Sequence, residues 1–256
     1  MSDRIPPPIR DAATVVLLRD GADGIETWLM TRVSGMAFAA GATVFPGGRV
    51  DDADSALPFA DDSPARLAAR WDCTEEMARA LLGCAVRETF EETGVLLTTP
   101  RAELADARED VETGTRGFGD LLAEHGLSVD AAGLRAWSRW VTPPEETRRY
   151  DTRFFVAALP EGAHAQDVTT EAAHATWVPV HTALDQAQRG ERRLLPPTLM
   201  TLVALREFGT VADVLAAAPA RSLEAIRPTI RIDDAGDIVV ELPDGTSVTI
   251  PRSVFL

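Results

Sequence analysis

Lysine is absent from the 256-residue sequence, so all 25 basic side chains are arginine. This absence excludes a phosphate-binding loop that depends on lysine, and it excludes Schiff-base chemistry on a lysine amine. Positive charge is also scarce, because 40 acidic residues leave a formal net charge of -15. Non-specific nucleic-acid binding requires a basic surface, so a nucleic acid is not an expected partner. An anionic substrate must instead meet a local group of arginines or a bound metal ion.

Cysteines and long apolar runs are equally scarce. Cys73 and Cys84 are the two cysteines, and their spacing matches neither a metal site nor a redox motif, so we expect free thiols in a reducing compartment. The first ten residues contain no apolar signal segment, and no later run is long enough to cross a bilayer. We therefore expect a soluble, cytoplasmic protein that has no membrane partner.

The remaining composition is that of a globular protein with a sizeable core, since 45% of the residues are hydrophobic and 25% are charged. Apolar strand-like runs alternate with helical stretches, which predicts the α/β class. We predict one main domain over residues 1–219, with a helical insert at about 101–139. A β-meander joined by two short turns is predicted over residues 220–256.

Residues 87–95 carry the most informative pattern of the chain. A helix is predicted over about 75–93, with Thr74 as its N-cap and Gly94 at its end, where positive φ is common. On such a helix Glu88, Glu91 and Glu92 fall at i, i+3 and i+4 and share one face. The residues on roughly the opposite face are apolar and suit a core: Leu82, Val86 and Phe90.

The three carboxylates suggest a cation site. Carboxylates that converge repel one another unless a cation lies between them, and hard divalent ions such as Mg²⁺ prefer oxygen ligands. Arg87 lies one turn before Glu91 and can pair with it, which would fix its direction. The alternative is a solvated Glu-rich helix without a ligand.

Two other groups of residues have simpler interpretations. The four histidines lack ligand-like spacing and are interpreted as surface or loop residues: His125, His164, His174 and His181. Trp137 and Trp140 lie three residues apart at a predicted helix end, where core packing is favoured over base stacking.

The segment around these glutamates resembles the Nudix family. Gly48 followed by Arg87-Glu88-x-x-Glu91-Glu92-x-Gly94-Val95 is similar to the Nudix box, G-x5-E-x7-R-E-U-x-E-E-x-G-U. The glycine and the arginine lie 14 positions apart in the box but 87 − 48 = 39 apart here. An insertion that spans about residues 52–74 is therefore predicted to split the box.

The split box departs from the family pattern at two positions. Thr89 replaces the aliphatic residue. Counted back from Arg87, the first glutamate falls at Arg79, for which Glu75 or Glu76 is a candidate substitute.

Further segments narrow the resemblance to the coenzyme A diphosphatase branch of the family. The sequence ahead of the box, LMTR followed by AAGATVFPGG, resembles that branch. Its peroxisomal members are also similar in three later segments: Trp137-x-x-Trp140-Val141-Thr142-Pro143, residues 148–155 and Leu195-Pro196-Pro197. The similarity covers residues 11–208.

The resemblance implies a Nudix α/β/α sandwich and a site that uses Mg²⁺ or Mn²⁺. Glu88 and Glu92 are the implied metal ligands, and Glu91 is either a third ligand or the residue that orients or deprotonates the water. Arg87 completes the catalytic set. Glu171 is the candidate for a further carboxylate from a distant loop, and Glu145 and Glu146 are weaker candidates; a solvated loop acid is the alternative for all three.

The same resemblance suggests how a substrate is bound. Gly47 and Gly48 belong to the substrate-binding set, and Arg32, Arg148 and Arg149 are candidates to hold phosphates, such as the 3′-phosphate of coenzyme A. The alternative for these arginines is a surface ion pair with neighbouring acids.

The implied function is hydrolysis of a nucleoside diphosphate-linked small molecule. The leading hypothesis is cleavage of coenzyme A or acyl-CoA to 3′,5′-ADP and (acyl-)phosphopantetheine. Alternative substrates are ADP-ribose, NADH or a capped RNA. Another alternative is a Nudix-fold binding protein without turnover, which the missing acid at Arg79 suggests. The sequence leaves open whether the protein forms a homodimer.

Overall fold

The elements below come from a computed structural model of the chain, which describes residues 7–33, 41–167, 172–243 and 245–250. The strands, in chain order, are β1 (Ile9–Gly21), β2 (Gly24–Arg32), β3 (Thr43–Val44), β4 (Gly47–Arg49), β5 (Thr98–Thr99), β6 (Ser128–Val129), β7 (Arg135–Val141), β8 (Arg149–Ala158), β9 (Ala172–Pro179), β10 (Ala225–Ile226), β11 (Thr229–Ile232), β12 (Ile238–Glu241) and β13 (Ser247–Ile250). The α-helices are α1 (Ser63–Trp71), α2 (Glu75–Thr93), α3 (Arg108–Glu112), α4 (Phe118–Glu124), α5 (Val180–Gln188), α6 (Pro196–Leu205) and α7 (Val211–Ala217).

Strand β1 is central to the mixed sheet, whose order among the described residues is β10-β7-β8-β1-β2-β3. It pairs with β8 in parallel and with β2 and β4 in antiparallel fashion, while β9 pairs with β2. The segment DGADG between the apolar runs 11–19 and 26–32 is typical of a hairpin turn, and it closes β1 onto β2.

Each face of this sheet carries its own apolar core, because successive strand residues point to opposite sides. Val15 and Leu17 face the core that contains α1 and α2, whereas Val16 and Leu18 face the core that contains α5, α6 and α7. Two helical layers therefore enclose one sheet, which confirms the α/β/α sandwich.

Helix α2 has the predicted bounds. The Thr74 hydroxyl accepts a hydrogen bond from the backbone N–H of Met77, and Gly94 closes the helix at φ +74°. Leu82, Val86 and Phe90 are at most 1% exposed, so the face opposite the glutamates packs into the first core as predicted.

The segment 101–139 differs in part from the prediction. It contains the short helices α3 and α4 but ends in strands, and Trp137 lies within β7 rather than at a helix end. A β-bulge between Ala136 and Ser138 shifts the strand phase. As a result Trp137 and Trp140 both face the second core. They are three residues apart, a spacing at which two residues share a face in a helix but not in a regular strand. Their core-packing interpretation is confirmed.

The C-terminal region contains the predicted meander, because β11, β12 and β13 form a separate antiparallel sheet. Ahead of it, β10 adds a parallel edge strand to β7 of the main sheet. The boundary between residues 219 and 220 stays a prediction. Among the described residues no helix combines the length and the apolar character that crossing a membrane requires.

Candidate functional site

The box glutamates lie where the last turns of α2 pass over Pro46-Gly47-Gly48, the glycine turn at the start of β4. Glu92 is 5% exposed, and its Oε2 accepts a hydrogen bond of 2.7 Å from the backbone N–H of Gly47. Strand β4 is itself fixed to β1 by pairing of Gly47 with Thr14. The position of the Glu92 carboxylate is thus set by the main sheet.

Both glycines of this turn are required by close approach. A Cβ added at Gly48 would lie 2.5 Å from the carboxyl carbon of Glu88, and one at Gly47 would lie 2.7 Å from Cα of Thr14. Such distances do not occur between real side chains. Gly47 and Gly48 therefore admit the carboxylates of α2 to the sheet edge, and their predicted contact with substrate stays a prediction.

Arg87 connects the acidic side chains of the site. Its Nη1 donates to Oε1 of Glu88 at 2.9 Å and to both carboxylate oxygens of Glu91 at 3.3 Å. Its Nε and Nη2 donate to the two oxygens of Asp54 at 2.8 Å and 3.0 Å. The contact expected between Arg87 and Glu91 is present, and Asp54 is an additional partner.

Asp54 occupies the position of the first box glutamate when the box is read from its glycine. It is six residues after Gly48, which is the spacing of the first glutamate when the box is counted forward from its glycine. The insertion follows this position rather than preceding it. Glu75 and Glu76 are exposed in the first turn of α2, so their suggested role as substitutes is wrong.

Arg79, where the count back from Arg87 places a glutamate, binds the backbone of the segment that follows Asp54. Its guanidinium donates to the backbone carbonyls of Ser55 and Leu57 at 2.9 Å and 2.8 Å. It also lies over the ring of Phe59 at 4.5 Å. Arg79 therefore fastens the inserted segment to α2 next to Asp54.

The ionised forms of the Glu88 and Glu91 carboxylates are destabilised by burial. Burial raises the pKa of Glu88 to about 7, and the neighbouring charges of Glu91 and Asp54 add to this effect while Arg87 opposes it. Burial also raises the pKa of Glu91, again opposed by Arg87. Negative charge at this site is thus only partly neutralised by the one arginine.

These residues fit a hard divalent ion by their chemistry. The donor atoms of Glu88, Glu91 and Glu92 are all oxygen, and Mg²⁺ and Mn²⁺ favour oxygen ligands. In the described chain no three acidic, histidine or cysteine side chains are already arranged as a metal-binding group. Arg87 holds Glu88 and Glu91, so the carboxylates must turn toward an ion to bind it.

The C-terminal end of α2 is held by a residue that sequence reasoning missed. Arg108, the first residue of α3, is 7% exposed and donates to the backbone carbonyl of Glu91 at 2.8 Å. The hydroxyls of Thr89 and Thr93 bond to carbonyls one turn earlier, at 2.7 Å and 2.6 Å. The polar Thr89 is therefore fully accommodated at the aliphatic position of the box.

Two of the candidate phosphate-binding arginines lie away from the carboxylates. Arg149 pairs in register with Ile9, five residues along β1 from Thr14, a separation of about 17 Å along the strand. It donates to the carbonyls of Thr142 and Pro7. Arg148 is exposed in the preceding turn, as are Glu145 and Glu146.

The structure describes Arg32 and the four histidines, but not Glu171. Arg32 ends β2, and its backbone N–H bonds to the carbonyl of Ala42 at 3.0 Å, close to the strand that leads into the glycine turn. Glu171 lies outside the described residues. All four histidines are exposed, as predicted.

Comparison with known proteins gives one family. The profile of the NUDT19 Nudix domain matches residues 72–205. Acyl-coenzyme A diphosphatase NUDT19 of Homo sapiens is 28% identical over 287 aligned residues, which cover 92% of this chain and 75% of that protein. The protein of the same name from Gallus gallus is 29% identical and covers 84% of this chain and 72% of its own length.

A solved structure has the same fold. The crystal structure of a NUDIX hydrolase from Alicyclobacillus acidocaldarius superposes with a TM-score of 0.70 at 29% identity, and the match covers 82% of this chain and 96% of that one.

Proposed function

The chain belongs to the Nudix hydrolase family, in the group of the NUDT19 Nudix domain, and on this premise we propose that it hydrolyses coenzyme A or acyl-CoA. The products are 3′,5′-ADP and phosphopantetheine or its acyl ester. The observation that carries this proposal is the cluster of Arg87, Asp54 and three box glutamates at a glycine turn. Relatives named acyl-coenzyme A diphosphatases, aligned over most of the chain, support the substrate.

The reaction breaks one phosphorus–oxygen bond of the diphosphate. The oxygen of a water molecule bonds to one phosphorus, the bridging oxygen leaves with the other phosphate, and the protons of the water are released to the site and solvent. Nudix hydrolases generally use divalent metals, and Mg²⁺ or Mn²⁺ bound here would neutralise phosphoryl oxygens and lower the pKa of bound water.

The side chains of α2 have separate parts in this proposal. Glu88 and Glu92 would hold the metal, since both carboxylates lie at the glycine turn. Glu91 is either a third ligand or the group that orients or deprotonates the water. Arg87 positions Glu88 and Glu91 through its Nη1.

Substrate contacts are proposed for residues farther from the carboxylates. Arg32, near the glycine turn, is the candidate for a phosphate close to the reacting bond. Arg148 and Arg149 stay predictions only, because about 17 Å along the strand separates Arg149 from the turn, whereas the 3′-phosphate and the diphosphate of coenzyme A are attached to the same ribose. Glu171 stays the candidate for a further carboxylate.

A substrate panel tests the proposal. Coenzyme A, an acyl-CoA, dephospho-coenzyme A, ADP-ribose, NADH and a capped RNA are each incubated with Mg²⁺ or Mn²⁺, and products are identified by mass. We expect 3′,5′-ADP from coenzyme A or acyl-CoA. The proposal fails if neither is cleaved while ADP-ribose, NADH or capped RNA is.

A Glu92→Gln variant separates catalysis from binding without turnover. The glutamine keeps an acceptor for the Gly47 N–H but loses the charge, so we expect activity to fall about a hundredfold while the fold is retained. Glu76→Gln, on the exposed first turn of the same helix, is the matched control. The non-catalytic alternative loses its motivation because Asp54 pairs with Arg87.

A further inference from the structure

A buried arginine from the segment inserted after α2 holds the metal-binding end of that helix. We propose that Arg108 is a positioning residue, which fixes the backbone of Glu91 and thereby the direction of the Glu91 and Glu92 carboxylates. This inference rests on the proposed metal-dependent function of the site.

The contacts of Arg108 are those of a fixed side chain. Its Nη1 lies 2.8 Å from the backbone oxygen of Glu91 and 2.5 Å from Oε2 of Glu112. The side chains of Arg108 and Glu112 are 9% and 14% exposed. Glu112 follows one turn later on α3, so its charge allows the guanidinium to be buried next to α2.

Arg108 donates a hydrogen bond to one of the last backbone carbonyls of α2. The last carbonyls of a helix have no intrahelical partner, and the C-terminus carries partial negative charge. Gly94 donates to the carbonyl of Phe90 and Gln166 donates to that of Thr93, both through backbone N–H groups. Arg108 supplies the charged donor of this set, to the carbonyl of Glu91.

The position of this bond links it to the metal site rather than to stability alone. Glu91 is one of the three box glutamates, and its neighbour Glu92 accepts a bond from Gly47 of the main sheet. The last turn of α2 is thus fixed between the sheet and the inserted helix. Metal ligands need positions held to within about half an ångström, so a loosened turn lowers metal affinity.

Direct metal binding tests the proposal. Mn²⁺ is titrated calorimetrically into the full chain without substrate, for the parent protein, Arg108→Met and Arg108→Lys. We expect the dissociation constant to rise about tenfold to a hundredfold in Arg108→Met, and less in Arg108→Lys, which keeps the charge. The control is Arg116→Met, since Arg116 forms an exposed ion pair with Glu124 on the same insert.

A double variant separates the effect of losing the bond to Glu91 from the effect of losing the ion pair with Glu112. Arg108→Met removes the positive charge that pairs with Glu112, whereas Arg108→Met with Glu112→Gln removes both charges of the pair. We expect metal binding to stay weak in the double variant, because the bond to Glu91 is still missing. Parent-like Mn²⁺ affinity in the double variant would overturn the proposal. If Arg108→Met does not fold, Arg108→Gln is titrated instead; its amide nitrogen ends two bonds short of the Nη1 position that bonds to Glu91, so parent-like affinity in this variant would overturn the proposal too.

The outcome is independent of the substrate. A parent protein that binds Mn²⁺ but does not cleave coenzyme A contradicts the proposed substrate and leaves the Arg108 comparison valid. Equal Mn²⁺ affinity in the parent and Arg108→Met contradicts the role of Arg108, even if coenzyme A is cleaved.

Discussion

Arg87 and Asp54 are 33 residues apart in sequence and form a two-point ion pair, with Nε 2.8 Å from Oδ1 and Nη2 3.0 Å from Oδ2. Their side chains are 12% and 2% exposed. The pair joins the segment that follows β4 to α2 and leaves the Nη1 of Arg87 directed at Glu88 and Glu91.

Removing the Asp54 charge should therefore affect both stability and catalysis. In Asp54→Asn we expect the free energy of unfolding to fall by about 3 kcal/mol, because a buried guanidinium loses its partner. We also expect kcat/KM to fall at least about tenfold, since Arg87 no longer holds the two glutamates in place. Urea unfolding and steady-state kinetics measure the two effects.

The control for this variant is Asp62→Asn. Asp62 pairs with Arg66, but their side chains are 73% and 59% exposed, so we expect a change below about 1 kcal/mol and parent-like activity. Equal effects of the two substitutions would show that the Asp54 pair is an ordinary surface interaction.

Gly48→Ala should damage the site locally. The added methyl group meets the Glu88 carboxylate, so either β4 or Glu88 must move. Because the contact is with the movable end of the Glu88 side chain, we expect the unfolding free energy to fall by no more than about 1 kcal/mol and the metal dissociation constant to rise about tenfold. Gly119→Ala is the matched control, since its methyl group would lie 3.4 Å from Leu57. Unchanged Mn²⁺ affinity in Gly48→Ala would refute the predicted crowding.

The raised pKa of Glu88 predicts how stability depends on pH when metal is chelated. The pKa is about 7 in the folded protein against 4.5 for the unperturbed group. Between these values the folded state holds a proton that the unfolded state has lost, so stability falls as pH rises from about 4.5 to about 7. A single group contributes a slope of at most about 1.4 kcal/mol per pH unit.

Urea unfolding between pH 5 and 8 with a chelator measures this slope. We expect Glu88→Gln to flatten it, with a smaller remainder from Glu91, whose pKa is raised in the same direction. Stabilisation by added Mg²⁺ should increase over the same pH window, because the ligands must be ionised to bind it. An unchanged slope in Glu88→Gln would assign the pH dependence to other groups.

Local signals in the sequence were sufficient to predict the bounds of α2. The Thr74 cap and the Gly94 terminus define α2 without any knowledge of its neighbours. The same holds for the β1–β2 hairpin, whose turn residues stand between two apolar runs.

Long-range contacts were not accessible in this way. Counting the split box back from Arg87 leads to Arg79, whereas counting forward from Gly48 leads to Asp54, so the forward count was the available signal. The predicted placement of Trp137 at a helix end was wrong because a bulge in β7 produces helical spacing in a strand, whereas its predicted packing into the core was right. Arg108 had no local signal, since its bond to Glu91 depends on how α3 packs against α2.

The contacts of Arg87 also bear on what the folding of this region requires. Its guanidinium contacts two of the three box carboxylates, while the Gly47 N–H bonds to the third. Each box carboxylate therefore has a donor from the protein itself, so the folding of this turn does not depend on an ion. We expect protein treated with a chelator to stay folded and to regain full activity when Mg²⁺ is restored.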